Sequence, residues 1–215
     1  MTIVTDTATT ISARLRERTS QAHESAERSR FLERLLGGEL GIDAWAALLQ
    51  QYGFMYEALE SAAVPVRESD KLGAIPAVEL NRAASIAADL EALAPRLTQP
   101  LLGELPATRE YAERITASAA DPARYLAHHY TRYLGDLSGG QAMRVMLDRT
   151  YGLPADEATF FDFTEIPAIV PFKRAYRTQL DDLAFDEAAI VRLLDEANAS
   201  FTCNERIFEA LDARF

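Results

Sequence analysis

The 215-residue sequence contains a single cysteine, Cys203, and only three histidines. One cysteine cannot form an internal disulfide, and it excludes zinc or iron–sulfur sites built from several cysteines. This usage is typical of a reducing cytoplasm, which is the location we expect. No apolar run approaches the roughly 20 residues that a membrane span requires, and the N-terminus lacks the basic and apolar regions of a signal peptide. We therefore expect a soluble protein without a membrane anchor.

Positive charge is also scarce. The chain has 22 Lys and Arg against 33 Asp and Glu, which gives a formal net charge of −11. Binding to a phosphate backbone needs a basic face that displaces counterions, so we expect no nucleic-acid partner. A local group of cations can still hold a small anion on an acidic protein. Hydrophobic residues make up 48% of the chain, which is enough to build a globular core.

Helical periodicity dominates the chain, and no strand-like alternation stands out. We predict an all-α, single-domain protein over residues 11–215, preceded by a mobile, polar N-terminus over residues 1–10. Asp, Pro and Gly at characteristic positions mark the helix ends. The predicted helices run over residues 11–36, from an N-cap at Asp43 to about 68, from Pro76 to before Pro95, from Pro106 to 119, from Pro122 to 151, over a short stretch after Pro154, from Pro167 or Pro171 to 183, and from Asp186 onwards.

Residues 130–141 are unusual, because three glycines lie inside a strongly helical stretch. Each glycine costs about 1 kcal/mol relative to alanine in a helix interior, so something must offset the weakness. Gly135 and Gly139 leave gaps that would let a flat ligand approach the backbone or let the helix bend. From the residues alone, a ligand cleft and close helix–helix packing remain about equal alternatives. The helix face in question is predicted to carry Arg132, Gly135, Asp136, Gly139 and Met143.

His23 stands on the first predicted helix, four residues before Glu27. A carboxylate one turn after a histidine can orient the imidazole through its second nitrogen. Taken alone, however, such a histidine is more often a solvent-facing residue. His128 and His129 are adjacent, so their side chains point about 100° apart on a helix and cannot readily chelate one ion. We expect structural roles for both.

These two segments resemble one family. Residues 130–141 match the distal-helix motif of haem oxygenases almost residue for residue, and the segment around His23 is similar to their proximal-histidine segment. The resemblance extends from about Arg16 to Phe208. It implies an enzyme that binds haem b between the first helix and a kinked, glycine-rich helix. It also implies that O₂ and an external electron donor, a reductase or ferredoxin, open the ring at a meso carbon to give biliverdin, CO and ferrous iron, with iron release as the role.

The resemblance also implies roles for particular residues. His23 would be the axial ligand of the haem iron, and Glu27 would be its hydrogen-bonding partner. Gly135 and Gly139 would direct oxygen along the ring, and Asp136 between them would anchor a water that supplies a proton. The remaining implied site residues are Arg16, Tyr130, Lys173 and Arg177 at the two propionates, Arg132, Tyr56 and Asn204 around distal water, and Phe201 and Phe208 against the ring.

Three other functions compete with this prediction. A non-catalytic haem carrier would share the axial histidine and the cations, but it would not need Asp136 between paired glycines. A di-iron helical enzyme uses paired Glu-x-x-His motifs, and none of the three histidines follows a glutamate at that spacing. A thiamine-hydrolase-like enzyme needs an activated cysteine, and Cys203 has no evident activating partner. Haem oxygenase is therefore the prediction, with a haem-binding or storage protein as the alternative.

Overall fold

The computed structural model describes residues 10–215, and over this range the chain contains helices and turns but no β-strand. The predicted all-α fold is therefore confirmed. The predicted mobile N-terminus covers residues 1–10. Residues 1–9 lie outside the described residues, whereas the Thr10 hydroxyl accepts a hydrogen bond from the Ala13 backbone N–H and caps the first helix. The helices are α1 (Ile11–Glu27), α2 (Arg30–Leu36), α3 (Ile42–Glu68), α4 (Ala83–Leu93), α5 (Pro106–Ser118), α6 (Pro122–His129), α7 (Gln141–Tyr151), α8 (Ile169–Asp181) and α9 (Glu187–Asp212).

The first predicted helix is in fact two helices, so its predicted span of 11–36 is wrong. Helix α1 ends at Glu27, and the Ser29 hydroxyl accepts a hydrogen bond from the Leu32 backbone N–H and caps α2. A serine side chain competes well for such a backbone donor at a helix start. The break gives the two helices different partners, because α1 packs on α9 and α8, whereas α2 packs on α9 and α7.

Helices α3 and α9 form the centre of the core. Helix α3 packs against α4, α5 and α6, and α9 packs against α1, α5 and α6. Asp186 accepts a hydrogen bond from the Ala189 backbone N–H at 2.7 Å, which confirms the predicted N-cap of α9. The predicted cap of α3 is wrong, because Gly41 occupies that position. The Asp43 carboxylate instead accepts from the backbone N–H and hydroxyl of Thr98.

Two further predicted boundaries are corrected by tertiary contacts. The third helix does not start at Pro76, since a single 3-10 turn, Val78–Leu80, comes first and α4 begins at Ala83. The Glu60 side chain accepts hydrogen bonds from the backbone N–H groups of Arg82 and Ala83 and so caps α4 from another helix. The short helix after Pro154 is also reduced, to 3-10 turns at Ala155–Glu157 and Thr159–Phe161.

Candidate active site

The glycine-rich segment joins α6 to α7 through two π-helical stretches, Tyr130–Leu134 and Asp136–Gly140. Wider π turns inside a helix are rare and frequently accompany functional sites. Gly135 keeps ordinary helical angles, φ −61° and ψ −50°, so no special backbone conformation explains it. A Cβ added at Gly135 or Gly139 would meet no atom within 4 Å, apart from the helix's own backbone. The two gaps are therefore open and are not filled by a packed helix, which decides between the two alternatives in favour of a cleft.

A cleft of about 320 Å³ lies against this segment. All five residues predicted to share one face of the glycine-rich helix line it, and helices α1 and α9 supply other walls. A second open pocket, of about 1010 Å³, shares His23, Thr131, Gly135 and Phe201 with the cleft and is also lined by Arg16, Tyr130 and Arg177. The predicted site residues that line the first cleft are His23, Glu27, Arg132, Gly135, Asp136, Gly139, Phe201, Asn204 and Phe208.

His23 and Glu27 form a pair on the α1 side of the cleft. The His23 Nδ1 atom lies 3.5 Å from a Glu27 carboxylate oxygen, and both side chains are more than half exposed. The Phe201 ring of α9 contacts the imidazole edge-on, with 5.8 Å between ring centroids. A carboxylate at Nδ1 favours the tautomer in which Nε2 is free to bind a ligand. The structure therefore brings the predicted His23–Glu27 pair together, and it places Phe201, which was predicted to pack against the ring, beside the imidazole.

Asp136 is buried on the glycine-rich side of the cleft, only 8% exposed. The Tyr56 hydroxyl of α3 donates a hydrogen bond to its carboxylate. Burial raises the pKa of Asp136 to about 6, and the positive charge of Arg132 and the Tyr56 hydrogen bond oppose that rise. A carboxyl group with a pKa near neutrality can hold or exchange a proton under ordinary conditions.

Arg132 is held in place from two directions. Its Nη1 donates to the Asn204 side-chain oxygen at 3.2 Å, and its guanidinium lies 4.4 Å from the centre of the Tyr52 ring and 5.3 Å from that of Tyr56. Such cation–π contacts strengthen when water is excluded. The structure thus gathers Tyr56, Arg132 and Asn204 around Asp136. It adds the direct Tyr56–Asp136 hydrogen bond, which the sequence interpretation lacked.

The residues predicted to hold the propionates lie in two different environments. Arg16, Tyr130 and Arg177 line the larger pocket. The Lys173 ammonium instead donates to the Ser138 hydroxyl at 2.8 Å and to the Leu137 carbonyl at 3.3 Å, which ties α8 to the glycine-rich segment. Lys173 lines neither the cleft nor the larger pocket. Partial burial, and then the charge of Arg177, lower the pKa of Lys173.

Three aromatic residues of the cleft, Tyr52, Phe160 and Phe161, were missed from the sequence. Tyr52 stands one turn before Tyr56 on α3, so a shared helix face was a signal that could have found it. Phe160 and Phe161 line the cleft but belong to the stretch between Pro154 and Pro167, for which the sequence predicted only a short helix. Their place depends on contacts with distant residues, which no local pattern reveals.

The remaining histidines are buried and packed against separate partners. His128 Nε2 lies 3.1 Å from a Glu196 carboxylate oxygen, and His129 Nδ1 lies 2.9 Å from the Tyr176 hydroxyl. Burial lowers the pKa of His129 to about 3. These contacts agree with the expected structural roles. Over residues 10–215 no three metal-ligating side chains cluster, which argues against the di-iron alternative.

Cys203 is partly buried, and burial raises the pKa of its thiol. An activated cysteine needs the opposite shift, because only the thiolate is a good nucleophile. The thiamine-hydrolase-like alternative therefore has no support at this position.

Among the helices of residues 10–215, none has both the length and the hydrophobicity that a membrane span requires.

The raised pKa of Asp136 predicts a pH-dependent stability. Folding favours the protonated carboxyl, so its stabilising contribution is complete below the ordinary pKa of 3.8 and is lost as pH rises through about 6. The loss amounts to about 3 kcal/mol at most. In an Asp136→Asn variant this loss disappears. Denaturant titrations should therefore show the variant gaining on the wild type by up to about 3 kcal/mol between about pH 4 and about pH 7. A difference that is the same at both pH values would contradict the buried, raised-pKa carboxyl.

The fold and the cleft define an all-helical protein whose cleft has a histidine–carboxylate pair on one side and a glycine-lined, buried carboxylate on the other. The family model described as "Heme oxygenase" matches residues 9–210. A "Heme oxygenase" of Rhodella violacea is 35% identical over 209 residues, which covers 96% of this chain and 89% of that protein.

Two solved structures are similar over nearly the whole chain. Heme oxygenase-1 of Synechocystis sp. in complex with heme has a TM-score of 0.88 at 32% identity, covering 95% of this chain and 93% of that one. Heme oxygenase-2 of the same organism, in complex with heme and NO, has a TM-score of 0.87 at 34% identity, covering 95% and 86%. The chain belongs to the haem oxygenase family, an enzyme family that degrades haem. The family, fold and enzyme class predicted from the sequence are confirmed.

Proposed function

We propose that this chain binds haem in the cleft beside the glycine-rich segment and degrades it to biliverdin, CO and ferrous iron. One observation carries the proposal beyond simple haem binding. A buried carboxyl group, Asp136, is fixed by Tyr56 in the same cleft that His23 lines. A haem carrier needs the histidine but has no use for a buried group that can exchange protons.

The residues present suit haem as the occupant. An imidazole nitrogen is one of the common ligands of haem iron, and the half-exposed side chain of His23 can provide one. It also needs a flat space, which the missing side chains of Gly135 and Gly139 leave open. Apolar side chains of Phe201 and Phe208 line the same cleft and would contact the faces of the ring.

The negatively charged edge of haem would point towards the larger pocket. Arg16 of α1 and Arg177 of α8 line that pocket with the Tyr130 hydroxyl group, and carboxylates bind well between such donors. Lys173, one turn before Arg177, would contribute by leaving its hydrogen bond to Ser138 or by its charge alone. We propose that these four residues hold the two propionates.

When bound, haem would supply the iron at which O₂ is reduced and the meso carbon that is oxidised. His23 would bind through Nε2, and the Glu27 carboxylate would accept a hydrogen bond from Nδ1 and keep that tautomer in place. Backbone atoms at Gly135 and Gly139 would leave oxygen room only along the ring. Asp136 would hold a proton-donating water at the oxygen site.

Four residues would keep Asp136 and its proton-donating water in place. The Tyr56 hydroxyl orients the Asp136 carboxylate. The Arg132 guanidinium, held by Asn204 and stacked on Tyr52, favours the ionised form of the carboxyl by its charge. A fixed carboxyl group with a pKa of about 6 can take up a proton from bulk solvent near that pH and release it again with little free-energy cost.

The remaining parts of the proposal concern context. We propose that the electrons come from an external donor such as a reductase or ferredoxin. A single cysteine supports a reducing, cytoplasmic location. Release of iron from haem is the role that we propose.

The test combines haem titration with aerobic turnover. With a reductant, the wild type should convert added haem to biliverdin and CO. Arg177→Ala should bind haem about threefold to tenfold more weakly, because it loses a partly screened ion pair. Arg174→Ala is the matched control, since this exposed arginine of α8 lines neither the cleft nor the larger pocket. Tight haem binding without biliverdin or CO would instead identify a haem carrier.

A further inference from the structure

Phe160 and Phe161 form an aromatic wall on one side of the cleft. Both rings are buried, and both line the cleft. Phe160 contacts the Tyr56 ring nearly edge-on, with 5.7 Å between centroids, and Phe161 stacks on Trp45 at 5.7 Å and 14°. The aromatic wall therefore packs directly on Tyr56, whose hydroxyl holds Asp136.

A carboxylate from a distant helix caps the turn that carries this wall. Asp89 of α4 is fully buried. One of its oxygens accepts hydrogen bonds from the backbone N–H of Thr159, at 2.8 Å, and from the Thr159 hydroxyl. The other accepts from the backbone N–H of Phe160 at 2.8 Å. Burial raises the pKa of Asp89, and the hydrogen bonds from Thr159 and Phe160 oppose that rise.

We propose that Asp89 is a positioning residue for haem degradation. By capping the turn at Thr159, it fixes the aromatic wall against Tyr56 and thereby keeps the Tyr56–Asp136 hydrogen bond in place. Asp89 does not line the cleft, so it acts through the wall and not on the substrate. The inference rests on the proposed role of Asp136, and its test therefore includes a measurement that does not depend on that role.

Trp45 provides that measurement, because it is the only tryptophan in the chain and it stacks on Phe161. Asp89→Asn keeps the side-chain size but replaces one acceptor oxygen with an NH₂ group that faces donors. We expect the haem-free variant to show red-shifted tryptophan emission. We also expect about twofold stronger quenching by acrylamide, as the wall loosens and Trp45 becomes accessible.

Asp43→Asn is a matched control. The Asp43 carboxylate accepts the same three kinds of hydrogen bond, from the backbone N–H and hydroxyl of Thr98 and from the backbone N–H of Gln99. Asp43 is only two residues from Trp45 in the chain, yet neither Asp43 nor its partners Thr98 and Gln99 line the cleft. Its replacement should leave tryptophan emission and quenching as in the wild type.

Turnover supplies the second measurement. If the wall loosens, more O₂ should leave as hydrogen peroxide, which takes two electrons from the reductant and two protons per molecule. We expect the share of electrons lost in this way to rise about twofold or more in Asp89→Asn. The visible spectrum of bound haem, which reports on His23, should not change. Asp43→Asn should release no more peroxide than the wild type.

A second pair of variants keeps the inference testable if Asp89→Asn does not fold. Thr159→Val removes only the hydroxyl donor and should shift Trp45 emission and peroxide yield in the same direction as Asp89→Asn. Thr159→Ser keeps a hydroxyl and should give wild-type values for both. A folded variant with a lower melting temperature but unchanged Trp45 emission and peroxide yield would overturn the proposal. If Asp136→Ala released no extra peroxide, the proposed role of Asp136 would fail, while Trp45 emission would still decide whether Asp89 positions the wall.

Discussion

Asp136→Ala is expected to keep its haem and to lose biliverdin formation by about 100-fold, the usual size of a general acid–base contribution. The carboxylate is buried, its pKa is raised to about 6, and Tyr56 donates a hydrogen bond to it. Alanine removes the group that holds a proton donor near oxygen, but it leaves His23 and Glu27 untouched. Electrons from the reductant should then be consumed in forming hydrogen peroxide and in peroxidase-like reactions.

The measurement is a single-turnover assay that follows biliverdin, CO and peroxide against reductant consumed. Asp148→Ala is a suitable control, because this exposed carboxylate lies on α7, in continuation of the glycine-rich segment, and does not line the cleft. It should degrade haem at the wild-type rate. Full biliverdin yield from Asp136→Ala would remove the basis for its proposed role.

Tyr56→Phe should give an intermediate result. It deletes only the hydrogen bond to Asp136, and the phenyl ring can keep its packing on Phe160. The Asp136 carboxylate itself remains in this variant and loses only one hydrogen bond, so a smaller loss than for Asp136→Ala is expected. This ordering separates the orientation of the carboxylate from its chemistry.

The second large effect is expected for His23→Ala, which should lose the spectrum of histidine-ligated haem and nearly all turnover. His23 is the only histidine that lines the cleft, among the residues that the structure describes. His128 and His129 are buried against Glu196 and Tyr176 and cannot replace it. Without the axial nitrogen, haem affinity should fall at least about tenfold.

Glu27→Gln is the graded companion to that variant. Glutamine can still accept a hydrogen bond from Nδ1 but no longer carries the negative charge that makes the imidazole a stronger ligand. The variant should keep a histidine-ligated spectrum, with a modest change in redox potential. Optical titration and redox titration measure the two effects.

For His23→Ala, an unchanged haem spectrum would refute the assignment of His23 as the axial ligand.

Local signals in the sequence predicted what depends on local physics. The N-cap at Asp186 was readable because a cap bonds to backbone only three residues away. The split between α1 and α2 was not, since both sides of Ser29 favour a helix. Packing on α9, α8 and α7 decided where the chain turns.

Contacts between side chains that lie far apart in the sequence could not be predicted, because the signals in the sequence are local. Asp43 looked like a helix cap, but it binds a loop 55 residues away, and Asp89 caps a turn 70 residues away. The Tyr56–Asp136 hydrogen bond spans 80 residues. Periodicity records neighbours three and four positions apart, so contacts at these separations leave no pattern in it.

By itself the sequence determined the helical fold, and with the family resemblance it determined the histidine–carboxylate pair and the glycine-rich helix. Only the tertiary structure decided whether the glycine gaps were packed or open. It also decided that Lys173 binds Ser138, that an aromatic wall supports Tyr56, and that the pKa of Asp136 is raised. Each of these depends on which surfaces the folded chain excludes from water, and burial is a property of the whole packed core.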